Sequence, residues 1–571
     1  MTKEKSLIDL TADLLTEEAK DEVVKNLLKP HKTIRDAVHG DFRVTRLEVD
    51  IIDTKEFQRL HKIKQLGPTY LVYPCAKHTR FEHSLGTSYM TQRLIELILK
   101  NPYKDLHVPI YVNLPSFNVR YPSSTTYSKA LITNYHILLA RICALLHDLA
   151  HIPFGHTLEN EGFLFKEQWN DEKRVKYFLG DNSTIGKIIV DTLNKKGLDG
   201  KNFLKEVKNM LTAETEEEIE RLPYPFISDI INNTICADLL DYVKRDIYFC
   251  GLKEAYDERF LIYFYVGMYN KRPRLILRLI KPSKRTIRRD VLSETLHLLR
   301  LRYSIAEKVY YHHTKISASA MIISAVNSAI ENNVISKQKL FEIGDDQLLT
   351  LLKKDNIGKY IINNLEERRL YKSVYKLKYT EPILGDSISP KKYEIIESFK
   401  DRKYRYNKER ALEKMNRLKS GQIVIYCPSH EMGQKAVRTL VNWGSKEPGP
   451  LENIDDDHIR SEIKSSIIDK HLALWNMYVF VDPDLSKEEK VCIASDCAKE
   501  IFPNNEIEDN EYRQNRSDYL DRFRELAEEE FGITVSSREQ REIKQRVGRS
   551  VGLDRFRVIG FEEYIKQIKK E

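Results

Sequence analysis

Apolar residues recur at three- and four-residue intervals over most of this chain, which predicts a mainly helical fold. Residues 1–30 read as an acidic-then-basic amphipathic helix ended by Pro30. Residues 132–150, ITNYHILLARICALLHDLA, are apolar nearly all round, as a fully buried helix is. Residues 109–132 are rich in Pro, Ser and Tyr and read as an excursion from the helical body. Residues 261–282 alternate and turn at Asn270-Lys271-Arg272-Pro273, which predicts a β-hairpin. Helices resume near Arg289 and run past Ile330, and residues 335–420 are polar and helical. Composition then shifts: residues 422–427 (QIVIYC) and 476–481 (NMYVFV) read as strands, followed by helix patterns to about Trp443 and over 486–501. Four segments result: an N-terminal helical extension (1–31), a helical core (32–335), a helical connecting region (336–420), and a C-terminal α+β module with a charged tail (421–571). The fold class is therefore mainly α, with a small β-hairpin and a C-terminal α+β module.

Composition narrows the class. At 571 residues and 41% hydrophobic, the chain has enough apolar surface for a real core, which excludes a largely disordered protein. The longest apolar stretch, 137–154, contains Arg141, His147, Asp148 and His151, so no membrane span is expected. The N-terminus has acids where a signal peptide needs an apolar run, and a cytoplasmic protein is expected. None of the seven cysteines forms a CxxC pair, so a zinc ribbon or redox motif has no support. A net charge of +8 permits anionic partners such as nucleotides and leaves nucleic acid open, while the Arg/Lys density after Ser537 reads first as a solvated helix face.

Histidine placement is the anomaly. Seven of the sixteen fall between His78 and His156, where even spreading would put about two. ALLHDLAHIPFGH (144–156) sets His147 beside Asp148 on an apolar helix, and a buried charged Asp is costly unless paired or metal-bound. His151 follows four residues later, on the same face if the helix continues that far. KHTRFEHSLGTS (77–88) offers His83 beside Arg80. ADLLDYVKRD (237–246) spaces Asp238, Tyr242, Arg245 and Asp246 so that one helix face carries all four. Two imidazoles and two carboxylates suit a divalent transition metal with positions left for water or phosphate. Satisfied core histidines at a helix end remain the plain alternative for the HD dipeptide taken alone.

The order H…HD…D with these flanking strings resembles the HD-domain phosphohydrolases, and more closely the deoxynucleoside triphosphate (dNTP) triphosphohydrolases. The matching strings are IRDAVHGDF, IIDTKEFQRLHKIKQLGPTYLVYPCAKHTRFEHSLGTSYM, ALLHDLAHIPFGH and ICADLLDYVKRDIYFCGL, which with YSIAEKVYYHHTK cover residues 32–330. The resemblance implies an HD-domain helical core and metal-dependent hydrolysis of dNTPs to deoxynucleoside and tripolyphosphate, regulated by dNTPs and serving dNTP depletion or antiviral defence. It implies metal ligands His83, His147, Asp148 and Asp238, for Mn, Fe, Mg or Zn. It implies His151, His156 and Glu159 as the proton-transfer group, Arg80 and Arg302 as triphosphate grips, and Gln65, Tyr242 and Asp246 as readers of the sugar 3′-hydroxyl. Leu66 would pack on the sugar, Tyr310 would exclude a 2′-hydroxyl, and Asp53 and Gln58 match a nucleotide effector site. For Asp53 the alternative is a helix cap, and for Gln58 a solvated side chain. The family forms homo-oligomers (dimer, tetramer or hexamer). The chain departs from the family at Leu239, where a lysine is usual, after Glu159, where a further histidine is missing, and at Arg35 and His61 beside the effector positions. Two alternatives stay open: another HD-type phosphohydrolase (phosphodiesterase or nuclease), and a nucleotide- or nucleic-acid-binding scaffold.

Overall fold

Short polar signals decide where the helices of this fold begin. Thr45 and Glu48 close a capping box at the start of the helix Arg46–Ile52. Thr54 caps the next turn, Lys55–Gln58, so the run 51–66 forms two short pieces instead of one helix, and Asp53 ends the first piece instead of capping the second. Thr79 N–H donates to Glu82 Oε2 at 2.9 Å, where the longer helix α1 (Arg80–Lys100) starts. The computed structural model describes residues 17–100, 132–165, 172–281, 286–378, 396–428, 438–444, 448–454, 456–464, 474–501 and 534. The 109–131 excursion and the charged tail fall outside these residues.

Six further helices carry the site and its support: α2 (Asn134–Leu146), α3 (Ala237–Cys250), α4 (Arg289–Ile305), α5 (His313–Glu331), α6 (Asn356–Glu366) and α7 (Arg402–Met415). Helix α1 packs between α2 and α3, and α5 packs against α6. The inner position of α2 follows from its sequence: from Leu138 to Leu146 every residue is buried, including Arg141, whose guanidinium is held by Glu48. Helix α5 is rich in Ala and Ser, which lets neighbouring segments approach it closely, and it is buried from Lys315 to Ala329. One continuous apolar core joins helices α1 to α6.

The strands are few. β1 (Pro30–Asp36) and β2 (Gly40–Thr45) form an antiparallel hairpin that the helical reading of the N-terminus did not anticipate. The described part of the N-terminal helix is Glu17–Leu27. The expected second hairpin is present as β3 (Phe264–Tyr269) and β4 (Arg272–Arg278). Its turn is Asn270-Lys271 alone, both with positive φ (50° and 60°), the geometry of tight two-residue hairpin turns. β5 (Lys372–Lys378) lies in a region read as helical and pairs with the C-terminal strands, in the order β5, β8 (Asn476–Val481), β6 (Ile423–Tyr426). Leu440–Asn442, read as the end of a helix, is instead strand β7, parallel to β4. Backbone pairing thus crosses residue 421 twice and ties the C-terminal segment to the helical core. Both segments (KSVYKLK and LVN) are short and mixed in composition, with no strong local preference, and tertiary pairing decided.

The outer N–H groups of β6 are satisfied by α7. Glu409 Oε1 accepts from Ile425 N at 2.8 Å, and Glu413 Oε1 accepts from Gly421 N at 2.8 Å and Ile423 N at 3.0 Å. Burial pushes both carboxyls up to about 7. Between about pH 4.5 and 7 the unfolded chain therefore binds fewer protons than the folded one, so this pair lowers stability as pH rises through that window. Glu409→Gln or Glu413→Gln keeps the accepting oxygen and removes the charge. Each variant should gain on the order of 1–3 kcal/mol over wild type at pH 8 and little at pH 4. Urea unfolding at the two pH values checks this, and equal differences at both would contradict it.

Candidate metal centre and substrate cleft

Four potential donor side chains from three separate segments gather round His83 Nε2. His83 lies in the first turn of α1, His147 caps the C-terminus of α2 with Asp148 next in the chain, and Asp238 lies in the first turn of α3. His83 Nε2 is 3.2 Å from His147 Nε2, 3.0 Å from Asp238 Oδ1 and 3.6 Å from Asp148 Oδ2. His147 Nε2 is 3.6 Å from Asp148 Oδ1 and 3.7 Å from Asp238 Oδ1. The sequence-predicted ligands are thus brought together. His83 is 1% exposed and Asp238 29%, so the cluster opens towards the Asp238 side.

The donor set fits a divalent metal, and so do the partners behind it. His147 Nδ1 donates to Ala144 O at 2.7 Å, which leaves Nε2 as a lone-pair donor. His83 Nδ1 donates to Asp241 Oδ2 at 2.7 Å, with the same consequence for its Nε2. Burial opposes a charged imidazole at His83, but hydrogen bonds to Asp238 and Asp241 push it up to about 10, so metal binding must displace a proton there. Burial alone would raise Asp148, yet the charges of Arg80, His147 and His151 hold it well below the usual carboxylate range. Burial would likewise raise Asp238, and the neighbouring His147 and His83 imidazoles hold it low.

Asp241 anchors the centre from behind. It also takes His39 Nε2 at 2.6 Å and Arg245 at 2.8 and 2.9 Å, and Arg245 reaches on to Asp36 at 2.9 Å. The β1–β2 hairpin, which supplies Asp36 and His39, is thereby fastened through Asp241 to His83, a candidate metal ligand. Gly86 makes room for this: a Cβ there would overlap the Asp241 carboxylate and the Arg245 guanidinium. The sequence reading missed Asp241, His39 and Asp36. Asp241 had a signal, since DLLD repeats an Asp at helical i, i+3 spacing in an apolar run. Arg245 was expected on the cleft face with Asp238, Tyr242 and Asp246, but it is fully buried and turned towards Asp36 and Asp241.

Beyond the HD dipeptide the chain turns sharply. Helix α2 ends at Leu146, so His147 and His151 do not share a helical face. A turn instead brings His151 Nε2 to 3.1 Å from Asp148 Oδ1. His151 Nδ1 pairs with Glu159 Oε2 at 2.5 Å, and Glu159 Oε1 pairs with the fully buried Arg174 at 2.6 Å. Arg174 was not anticipated. His156, exposed in the cleft, meets Asn160 Oδ1 at 3.0 Å and stands edge-on to His151. His151, His156 and Glu159 are close enough to hold an ion, but both His151 nitrogens and both Glu159 oxygens are already engaged. The cluster of His83, His147, Asp148 and Asp238 offers more donors, drawn from three segments, and so fits a metal better. Arg80 is buried and pairs with Asp148 through Nη1, while its Nε and Nη2 have no partner among the described residues. Gly155 (φ 43°) passes so close to Arg80 that a Cβ would collide with it.

The sugar-facing candidates gather one and two turns along α3. Asp246 accepts Tyr310 OH at 2.5 Å and His78 Nε2 at 2.8 Å. Tyr242 lies within electrostatic reach of Arg302, Asp238 and Asp246. Gln65 Oε1 is buried with no partner among the described residues, and Leu66 packs against the apolar core. Glu159 and Tyr310 both sit in single π-turns (Thr157–Glu161 and Ala306–Tyr310), irregularities often found at functional sites. Asp53 and Gln58 are exposed on one surface turn, and the Gln58 amide donates to Ile52 O at 2.9 Å. His61 stacks on Phe81 at 3.5 Å.

Comparison with known proteins agrees with this geometry. Residues 80–246 match the HD domain, and residues 283–398 match the HD associated region. An uncharacterized protein of Methanocaldococcus jannaschii is 30% identical over 61% of this chain and 60% of its own length. The deoxynucleoside triphosphate triphosphohydrolase SAMHD1 homolog of Dictyostelium discoideum is 28% identical over 65% and 66%. Human deoxynucleoside triphosphate triphosphohydrolase SAMHD1 is 28% identical over 41% and 36%. The chain thus spans about two thirds or less of the length of these relatives. A crystal structure of a hypothetical protein from Aquifex aeolicus shares the fold, with a TM-score of 0.51, 21% identity, and coverage of 80% of this chain and 98% of that one. No helix among the described residues is long and apolar enough to cross a membrane.

Asp241→Asn should weaken divalent metal binding about 10- to 100-fold, because it loosens the orientation of His83 while leaving all four donors in place. Metal titration of the purified chain checks this, and an unchanged affinity would contradict the anchoring role.

Proposed function

We propose, on the premise that this chain belongs to the HD-domain family, that it is a metal-dependent phosphohydrolase whose substrates are deoxynucleoside triphosphates. The observation that carries the reading is the convergence of His147, Asp148 and Asp238 on His83 Nε2, partly open to solvent at Asp238, with Arg80 paired to Asp148 and with Tyr242 and Asp246 further along α3. A bound divalent cation supplies Lewis acidity towards phosphoryl oxygen and a more acidic water. The chain's own residues do the rest. His151, oriented by Glu159 and Arg174, and His156 are placed to move a proton between water and the leaving oxygen. Arg80 and Arg302 offer guanidinium N–H groups to a polyphosphate. Gln65 Oε1, buried and lacking a donor, is suited to a sugar hydroxyl, with Tyr242 and Asp246 beside it. Leu66 and Tyr310 give the sugar an apolar and aromatic wall. Cleavage at the α-phosphate would yield deoxynucleoside and tripolyphosphate. Relatives named for dNTP hydrolysis support this substrate class.

The test is incubation of the full chain with each dNTP and divalent metal, followed by product identification. Deoxynucleoside with tripolyphosphate is the expected outcome. Monophosphate products would favour a different phosphohydrolase, and binding without turnover would favour a scaffold. Asp148→Ala should lose both metal and turnover while remaining folded. Deoxynucleotides should be preferred over ribonucleotides by about 100-fold or less, since an apolar wall rejects an added hydroxyl only weakly. Equal rates on ATP and dATP would remove the sugar-wall assignment.

A further inference from the structure

One carboxylate outside the metal centre joins two parts of the cleft that are distant in sequence. Asp345 begins the helix Asp345–Leu352, within the HD associated region, and is fully buried. Its Oδ2 accepts the backbone N–H of Lys64 at 2.9 Å, and its Oδ1 accepts the backbone N–H of Phe154 at 2.8 Å. Lys64 immediately precedes Gln65 and Leu66, the candidate sugar contacts. Phe154 lies between His151 and His156, and its φ of 59° is a left-handed conformation that a bulky residue keeps only when its surroundings hold it.

The residues next to Asp345 tighten the same joint. Gly344 lies so close to Lys62 that a Cβ would overlap the Lys62 backbone. Ile343 O is 3.5 Å from Arg59 Nη1, and Arg59 Nη2 donates to both Leu149 O and His151 O at 2.8 Å. Segment 343–345 therefore touches 59–64 on one side and, directly or through Arg59, 149–154 on the other. The Lys64 ammonium, 3.6 Å from Asp345 Oδ2, offsets part of the buried charge.

We propose that Asp345 is a positioning residue: with Arg59 it sets the distance between the sugar-binding residues Gln65–Leu66 and the proton-transfer turn His151–His156, so that the cleft is correctly spaced only with the associated region in place. Two acceptor oxygens on a short stem are what the joint requires. Asn presents one N–H group where the second acceptor is needed. The inference rests on the phosphohydrolase reading for its kinetic readout. A misplacement of about 1 Å between binding and reacting groups is enough to cost up to about a hundredfold in rate.

The experiment compares wild type with Asp345→Asn for turnover per bound metal, KM, metal content, and hydrogen exchange at the Lys64 and Phe154 amides. The expected result is a fall in kcat of at least about tenfold per metal-loaded chain, with KM and metal content within about threefold, and faster exchange at both amides. A purely structural role would lower the folded, metal-loaded fraction and leave kcat per bound metal unchanged, which would overturn the proposal. If Asp345→Asn fails to fold, Arg59→Lys, whose ammonium cannot span the same carbonyls, is read in the same way: a kcat fall per bound metal supports the joint and an unchanged value overturns it. If wild type hydrolyses no phosphate substrate, the functional reading fails, and exchange decides the joint alone. Loss of protection at both amides in Asp345→Asn supports it, and retained protection at either overturns it.

Discussion

Charge buried in an apolar helical core is the constraint on which the site depends. Asp148, Asp238 and Asp241 each stand within 3.6 Å of a ring nitrogen of His83, the first and last sealed from water and Asp238 partly open to it. Each uncompensated carboxylate there would cost several kcal/mol. The surrounding structure supplies what they lack: Arg80 and His151 on Asp148, His83 and His147 on Asp238, and His39, His83 and Arg245 on Asp241. Because the partners come from the β1–β2 hairpin, α1, the end of α2 and α3, satisfying these charges also fixes how those elements pack. The need for close approach then explains Gly86 and Gly155, each seated where a side chain would strike a buried arginine.

The network is graded. His83 and Asp241 are sealed inside, whereas Asp238 and His147 keep some access to solvent. The same helix α3 that supplies Asp238 and Asp241 carries Tyr242 and Asp246 further along, so one rigid element sets both the metal position and the candidate sugar position. Support for the opposite wall comes from more distant residues: Arg174 behind Glu159, and Arg59 and Asp345 behind the turn from Leu149 to Phe154. The candidate metal ligands are thus one layer of a polar network that reaches through most of the core.

Much of this was legible in the sequence, for identifiable reasons. Helical periodicity placed α2 and α5, alternation placed the β3–β4 hairpin, and the short apolar runs after the composition shift placed strands β6 and β8. His83, His147, Asp148 and Asp238 stood out because polar residues on apolar helices require an explanation. Their partners were less visible. His39 and Asp36 lie some two hundred residues from Asp241, and no local pattern announces the contact. Arg174 and Asp345 look like ordinary surface charges until burial is known. Strands β5 and β7 were missed because their pairing is long-range and their composition also suits a helix. The continued helix expected through His151 fails because the chain turns after His147, and that turn gives His147 and His151 different partners.

The most direct test of the account is anomalous scattering from crystals of the full chain soaked in manganese. A single strong peak within about 2.0–2.6 Å of His83 Nε2, His147 Nε2 and carboxylate oxygens of Asp148 and Asp238 is the predicted result. A peak seated instead on His151, His156 and Glu159, or no peak at either place under saturating metal, would contradict it.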